Sequence, residues 1–336
     1  SKSKKDLWFN SLESLVHNSV VIPTFIKFLS YKQLQIQLVS VKICLENSTN
    51  KYSNIILYNN YYWPDELLQI INNDEYFSGV KFKNLPKIFE ITNKVINILK
   101  IFKVQLKHIL TKGIEFNKIS KKSYEIATEI FDLKMLGRTN NDSDFFIDNK
   151  NLKYSNSIFY ITKKHRNILK KNGYSSSKIN NFSKSKGINI IELYKLSIPF
   201  VFIKKIIKWN FIILTNIFKK NTSSVFNLFP YILDEYLDYS TLFQYYNIRN
   251  HIHFINPNGR APLMLNSAII TGICREYNTK SCGIQNRVIH SREYEFSFDS
   301  YDLYFSWGKL WIDLLGSALQ FVDKIIIIGS LNRSKQ

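Results

Sequence analysis

Apolar positions in this chain change their spacing from one region to the next. Between 85 and 136 they recur every three or four residues, at Ile88, Ile91, Val95, Ile98, Phe102, Leu106 and Ile109. That is the period of an amphipathic helix, so the spacing predicts a long helical tract with these residues forming its packing face. Upstream, the run at 54–58 (Asn-Ile-Ile-Leu-Tyr) reads as a short buried strand, and Trp63-Pro64-Asp65-Glu66 reads as a helix start with proline and acids in its first turn. The stretch at 190–218 is the most hydrophobic, yet Lys195, Lys204, Lys205 and Lys208 interrupt it. No uncharged run there reaches the ~18–20 residues that span a bilayer. With Trp209 alongside, that lysine group fits a helix lying on an anionic membrane and equally a core helix with one solvated face.

After Val225 the pattern becomes regular. Strands are predicted at 251–255, 279–285, 301–306 and 324–328, alternating with helices at 233–246, 261–277 and 309–321. Short apolar strands alternating with helices imply a parallel sheet covered on both faces. The expected fold class is therefore α/β, a Rossmann-like parallel sheet flanked by helices, with a helix-rich insertion at about 85–224. Two polar stretches, 138–151 and 171–187, read as loops or linkers. No internal repeat of fixed period is present.

Length and composition narrow the classes. At about 150 residues per domain, 336 residues make roughly two domains. Apolar residues at 45% and charged residues at 21% describe a folded chain, not a disordered one. Lys+Arg 46 against Asp+Glu 26 gives +20, which would ordinarily point to a polyanionic partner. However, the excess lies entirely before Val225: 10 basic and 10 acidic residues follow it, whereas 36 basic face 16 acidic ones before it, with Arg138 and Arg166 the only arginines there. Lys, Asn, Ile, Tyr and Phe are over-used together, as A/T-rich codons would produce, so the charge carries less functional weight than its size suggests. Cys44, Cys274 and Cys282 contain no C-x-x-C pair, which fits a reducing compartment. Ser1-Lys2-Ser3-Lys4-Lys5 begins without an apolar signal region. A cytoplasmic chain is expected, peripheral on the inner face of the plasma membrane if it meets lipid. The missing initiator Met and the stop just after the strand-like run at 325–328 read as a fragment.

Candidate chemistry lies in loops after strands, because ligands of open parallel sheets bind beyond the strands' carboxyl ends. The first loop, Asn256-Pro257-Asn258-Gly259-Arg260, precedes a helix start whose free N–H groups, with Arg260, suit a phosphate or carboxylate. Asn258, Gly259 and Arg260 are substrate-binding candidates. The second loop follows Gln285 and runs Asn286-Arg287-Val288-Ile289-His290-Ser291-Arg292. Gln285, Asn286 and Arg287 could hydrogen-bond sugar hydroxyls or a diphosphate, and His290 could act as a general base. Gly329 and Ser330, ending the last strand, are donor-phosphate candidates. No Walker or G-x-G-x-x-G motif occurs. Asp142-Ser143-Asp144 imitates a metal-binding D-x-D in a polar linker, and His251 and His253 share one face of a strand without a third ligand, so no metal and no cofactor are expected. Cys274 and Cys282 read as buried small hydrophobes.

The ordered set Gly283-Ile284-Gln285, a variable loop, Asp302 with Trp307-Gly308, and a last strand ending Gly329-Ser330 resembles bacterial surface-carbohydrate biosynthesis proteins of the capsule and O-antigen type. The resemblance covers about 233–330. It implies a GT-B-like glycosyltransferase of two facing Rossmann-like domains that moves a sugar from a nucleotide-sugar donor to a glycan or lipid-linked acceptor. On that reading 1–306 is the acceptor-side domain, and 307–336 holds the crossover and first strand of a largely missing donor domain. The sequence departs from the family pattern at Asn286, where His or Gly is usual, and at Leu331-Asn332-Arg333, where an acidic residue often follows. Two alternatives stay open: a non-enzymatic basic protein binding nucleic acid or an anionic membrane, and a sugar-nucleotide epimerase or hydrolase of the same architecture. Lysine without ordered aromatic interleaving predicts no specific nucleic-acid partner.

Overall fold

The computed structural model describes residues 55–59, 69, 72–73, 80–84, 87–117, 119–137, 154–216, 223–254, 262–285, 300–309 and 321–329. Its strands are β1 (Ile55–Asn59), β2 (Val80–Asn84), β3 (Ile114–Glu115), β4 (Lys122–Glu129), β5 (Ser157–Ile161), β6 (Asn189–Glu192), β7 (Ile198–Pro199), β8 (Tyr246–Phe254), β9 (Lys280–Ile284), β10 (Ser300–Ser306) and β11 (Phe321–Ile327). The helices are α1 (Lys87–Lys112), α2 (Lys163–Lys171), α3 (Ser176–Lys186), α4 (Phe200–Asn216), α5 (Ser223–Tyr245) and α6 (Pro262–Glu276).

Seven strands form one sheet in the order β11-β10-β9-β8-β4-β5-β6, and every neighbouring pair is parallel. Numbered by first appearance within the sheet, that order is 7-6-5-4-1-2-3, the doubly wound arrangement extended by one strand. The expectation of an α/β fold with a parallel sheet flanked by helices therefore holds. The chain reverses its direction of travel across the sheet between β4 and β8. Alternation along β5, buried at every position, feeds two cores. Ile158 and Tyr160 join a cluster with Phe202 of α4, Leu242 of α5 and Ile273 of α6. Phe159 and Ile161 join another with Leu169 of α2 and Ile179 of α3. Two short parallel pairs, β1 with β2 and β3 with β7, stand outside this sheet.

Several elements differ from what the spacing predicts. The strand expected at 54–58 is β1, but its partner is β2, whose Lys81 and Lys83 made it illegible as a strand. The helical tract stops at Lys112, with Gly113 at a left-handed φ of 71°, and β4 follows. The region expected as a helical insertion thus contributes β4, β5 and β6, and β4 pairs with the central strand β8. Residues 171–187 are not a loop: Ser175 caps α3 at its start and Gly187, at φ 63°, ends it. Arg166 holds this corner, with its Nε 3.1 Å from Glu192, one guanidinium N–H donating to the Tyr174 carbonyl and another to the Ser176 hydroxyl. β11, expected to open a second domain, is hydrogen-bonded to β10 at the edge of the same sheet. The readings at 63–66, 138–151 and 142–144 lie outside the described residues, as does most of the helix expected at 309–321.

Gly283 allows β9 and β10 to approach. A Cβ there would stand 2.5 Å from the ring of Tyr301, itself buried. Gly283→Ala should therefore destabilise the fold by about 1–3 kcal/mol in urea denaturation, because the buried ring has little room to move.

Helix α1 is anchored by ions rather than by its apolar stripe. His108 Nε2 lies 2.6 Å from Asp234 Oδ1, Lys107 donates to the same carboxylate, and the buried Lys112 ammonium stands 2.6 Å from Asp238 of α5. Burial pushes the Asp234 carboxyl up, but the His108 and Lys107 hydrogen bonds outweigh it and hold it down at about 2. A carboxyl depressed on folding adds stability that is full above pH ~4 and lost as pH falls toward 2. Solvent screening at a carboxylate about one-third exposed keeps this near ~1 kcal/mol. Asp234→Asn should flatten the acid limb of stability against pH by that amount.

Candidate functional site

Where the sheet reverses, β4 and β8 run side by side, with Ala127 opposite His251 and Thr128 opposite Ile252. The carboxyl ends of doubly wound strands at this point form the cleft in which such folds bind ligands. Polar side chains gather here. Glu129, the last residue of β4, places Oε1 2.5 Å from His165 Nδ1 and accepts the Tyr239 hydroxyl of α5 on Oε2 at 3.0 Å. His165 sits in the first turn of α2, whose N-cap is Thr162, and its backbone N–H donates to Thr162 Oγ1 at 3.4 Å. The cap fixes the helix start, and the helix start delivers the imidazole to the carboxylate. Burial raises the Glu129 carboxyl, but hydrogen bonding and charge from His165, with Thr162 and His253 adding, leave it below its ordinary value. Glu129 is thus the hydrogen-bonding partner of His165 Nδ1, and no described residue hydrogen-bonds Nε2.

A second hydrogen bond lies one strand away. Tyr160 of β5 and His251 Nε2 of β8 are 2.7 Å apart. Burial drives the Tyr160 hydroxyl well above its usual range and the His251 imidazole down to about 3. Both groups are neutral at physiological pH. His251 Nδ1 is buried without a hydrogen-bond partner among the described residues. His253, half-buried two residues on, has its ring 6.1 Å from that of Tyr301, and burial lowers its pKa. The two β8 histidines thus engage in packing and hydrogen bonding, the role expected of them. Among the described residues no group of three or more His, Cys, Asp or Glu could hold a metal ion.

Of the candidate substrate- and phosphate-binding residues, Gln285 and Gly329 are described. Gln285 is fully buried at the end of β9, and its Oε1 accepts from the Ser306 hydroxyl at 3.0 Å and the Trp307 amide at 2.9 Å. Its carbonyl oxygen ties β9 to the end of β10, the position read as a domain crossing. Gly329 follows β11 at φ 75°, with open space where a Cβ would be, and β10 separates it from Gln285's strand. Asn258, Gly259, Arg260, Asn286, Arg287, His290 and Ser330 lie outside the described residues. The strands that precede the first two loops are adjacent and parallel, with their last residues Phe254 and Ile284 in register. Asp302 accepts from the Ser281 amide and hydroxyl and from Arg275 Nε, while Arg275 also reaches Asp323. Arg275 is thus committed to ion pairs within the fold. Cys274 and Cys282 are buried free thiols, as expected.

Glu129 and His165 were invisible to the sequence reading because β4 was read as helix and 163–171 was left unassigned. The available signal was Thr162 three residues before His165, a cap position at the end of the apolar run at 157–161. An open cleft of about 560 Å³ lies at the other edge, near the amino ends of β4, β8 and β9, lined in part by Lys121, Glu125 and Arg249. There Arg249 pairs with Glu125, and Lys121 donates to the Phe243 carbonyl. The carboxyl edge, with the Glu129–His165 pair, is the candidate site. No protein-family model, curated protein or solved structure matches this chain.

Glu129→Gln should destabilise the protein by about 3–5 kcal/mol in chemical denaturation, the range for removing one partner of a buried pair. Tyr160→Phe should cost about 1–3 kcal/mol by leaving His251 with neither ring nitrogen bonded.

Proposed function

We propose that the chain is a glycosyltransferase of surface-polysaccharide biosynthesis, working at the carboxyl edge between β4 and β8, with His165 as general base and Glu129 as the residue that positions it. The observation carrying this reading is the 2.5 Å Glu129–His165 contact at the reversal point of a doubly wound sheet. The acceptor hydroxyl gives its proton to His165 Nε2 as its oxygen forms a bond to the donor's anomeric carbon. The bond from that carbon to the diphosphate breaks, and the electron pair leaves on the nucleoside diphosphate. Arg260 and Arg287, on loops after β8 and β9, suit the departing phosphates, and Asn258, Gly259 and Asn286 suit sugar hydroxyls. His290 and Ser330 are the base and phosphate candidates of the neighbouring loops, and for the first proton transfer His165 is favoured over His290 because its carboxylate partner is in place.

Release of nucleoside diphosphate from a panel of UDP- and GDP-sugars tests the assignment. His165→Gln should lower turnover by about 10²–10⁴-fold with folding intact by circular dichroism, and Arg287→Ala should also lower it strongly. Wild-type turnover in either variant, or no change in Tm of the parent protein with UDP, GDP or CMP, would reject the assignment.

A further inference from the structure

The packing of α1 runs opposite to its pattern. Lys94, Asn97, Gln105, His108 and Lys112 are buried, whereas Ile88, Ile91, Val95, Leu99, Phe102, Leu106 and Leu110 face outward, Leu99 at 63% and Leu106 at 56% exposure. The expected packing face is therefore mostly the outer face, and only Ile98 and Ile109 of that set pack partly against the core. Ion pairs to Asp234 and Asp238 hold the polar side inward. A reciprocal pair of hydrogen bonds, Gln105 to Asn210 at 2.7 Å and Asn210 to Gln105 at 2.9 Å, fastens α1 to α4. Rotating α1 to bury its apolar stripe would break all of these contacts.

α4 repeats the arrangement. Phe200, Val201, Ile207 and Leu214 are exposed, Ile207 at 63%, beside the exposed Lys204 and Lys208. Phe116, at 71% exposure, packs at a tilt against Phe200 with ring centroids 5.4 Å apart and adds to the apolar surface. On α1 the exposed Lys100 and Lys103 flank the apolar stripe, while Lys107 pairs with Asp234. α4 contains no acidic residue, and α1 contains Glu90 alone against six lysines.

We propose that the outer face of α1 and α4 docks onto an anionic lipid bilayer, the apolar stripes entering the headgroup and acyl boundary while the lysines meet lipid phosphates. Charge selects this occupant. Pairing with a second copy of the same face would set lysine rows against each other, whereas anionic lipid complements them. Among the described residues no helix is long and apolar enough to cross a membrane, so the contact is interfacial. The proposal does not depend on glycosyl transfer.

Sedimentation of the full-length chain with vesicles of phosphatidylcholine alone, and of phosphatidylcholine mixed with phosphatidylglycerol, decides it. Binding should require phosphatidylglycerol and fall as salt is raised. The exposed double substitution Leu99→Glu with Leu106→Glu should weaken it roughly tenfold or more, and Lys100→Glu with Lys103→Glu by a similar factor, at unchanged Tm. No vesicle binding, equal binding to both vesicle types, a lowered Tm in the leucine variant, or loss in that variant of a dimer present in the parent would each overturn the proposal.

Discussion

The parallel pairing of β4 with β8 is the constraint on which the rest depends. It joins the half of the sheet built from β4, β5 and β6 to the half built from β8 to β11, with 116 residues between Glu129 at the end of β4 and Tyr246 at the start of β8. Such a non-local pairing forms only when both strands are buried by helices, and α5 does this for one face. The same pairing is the point where chain direction reverses, the place at which doubly wound sheets bind ligands. Stability and site therefore share one contact.

The second half of the fold was legible because its strands are short apolar runs between helices with clear periods: 279–285 and 301–306 match β9 and β10 closely, whereas 251–255 catches only the end of β8, which begins at Tyr246. β4 was not legible. Lys122, Glu125 and Glu129 give it no continuous apolar run, and its burial comes from neighbours on both sides rather than from its own composition. α3 was hidden for a related reason: Ser, Asn and Lys dominate it, Ile179 is its one fully buried residue, and its caps define it more than its core does.

α1 shows a different limit. Periodicity correctly marked it as a helix, but an amphipathic pattern has two faces and does not say which one turns inward. Asp234 and Asp238, more than a hundred residues away in sequence, decide that by demanding His108 and Lys112 as partners. The candidate site shows the same dependence on distant residues. Gln285 stands at a strand's carboxyl end as its sequence position implied, yet its amide oxygen turns to Ser306 and Trp307. His165 gains its meaning only when β4 brings Glu129 to it.

Hydrogen exchange of the full chain with and without UDP or GDP tests most directly that ligand chemistry belongs to the carboxyl edge. Protection should appear in peptides covering 126–132, 160–167 and 251–256. Protection confined to 121–125 and 277–280, around the cleft at the opposite edge, would contradict the account.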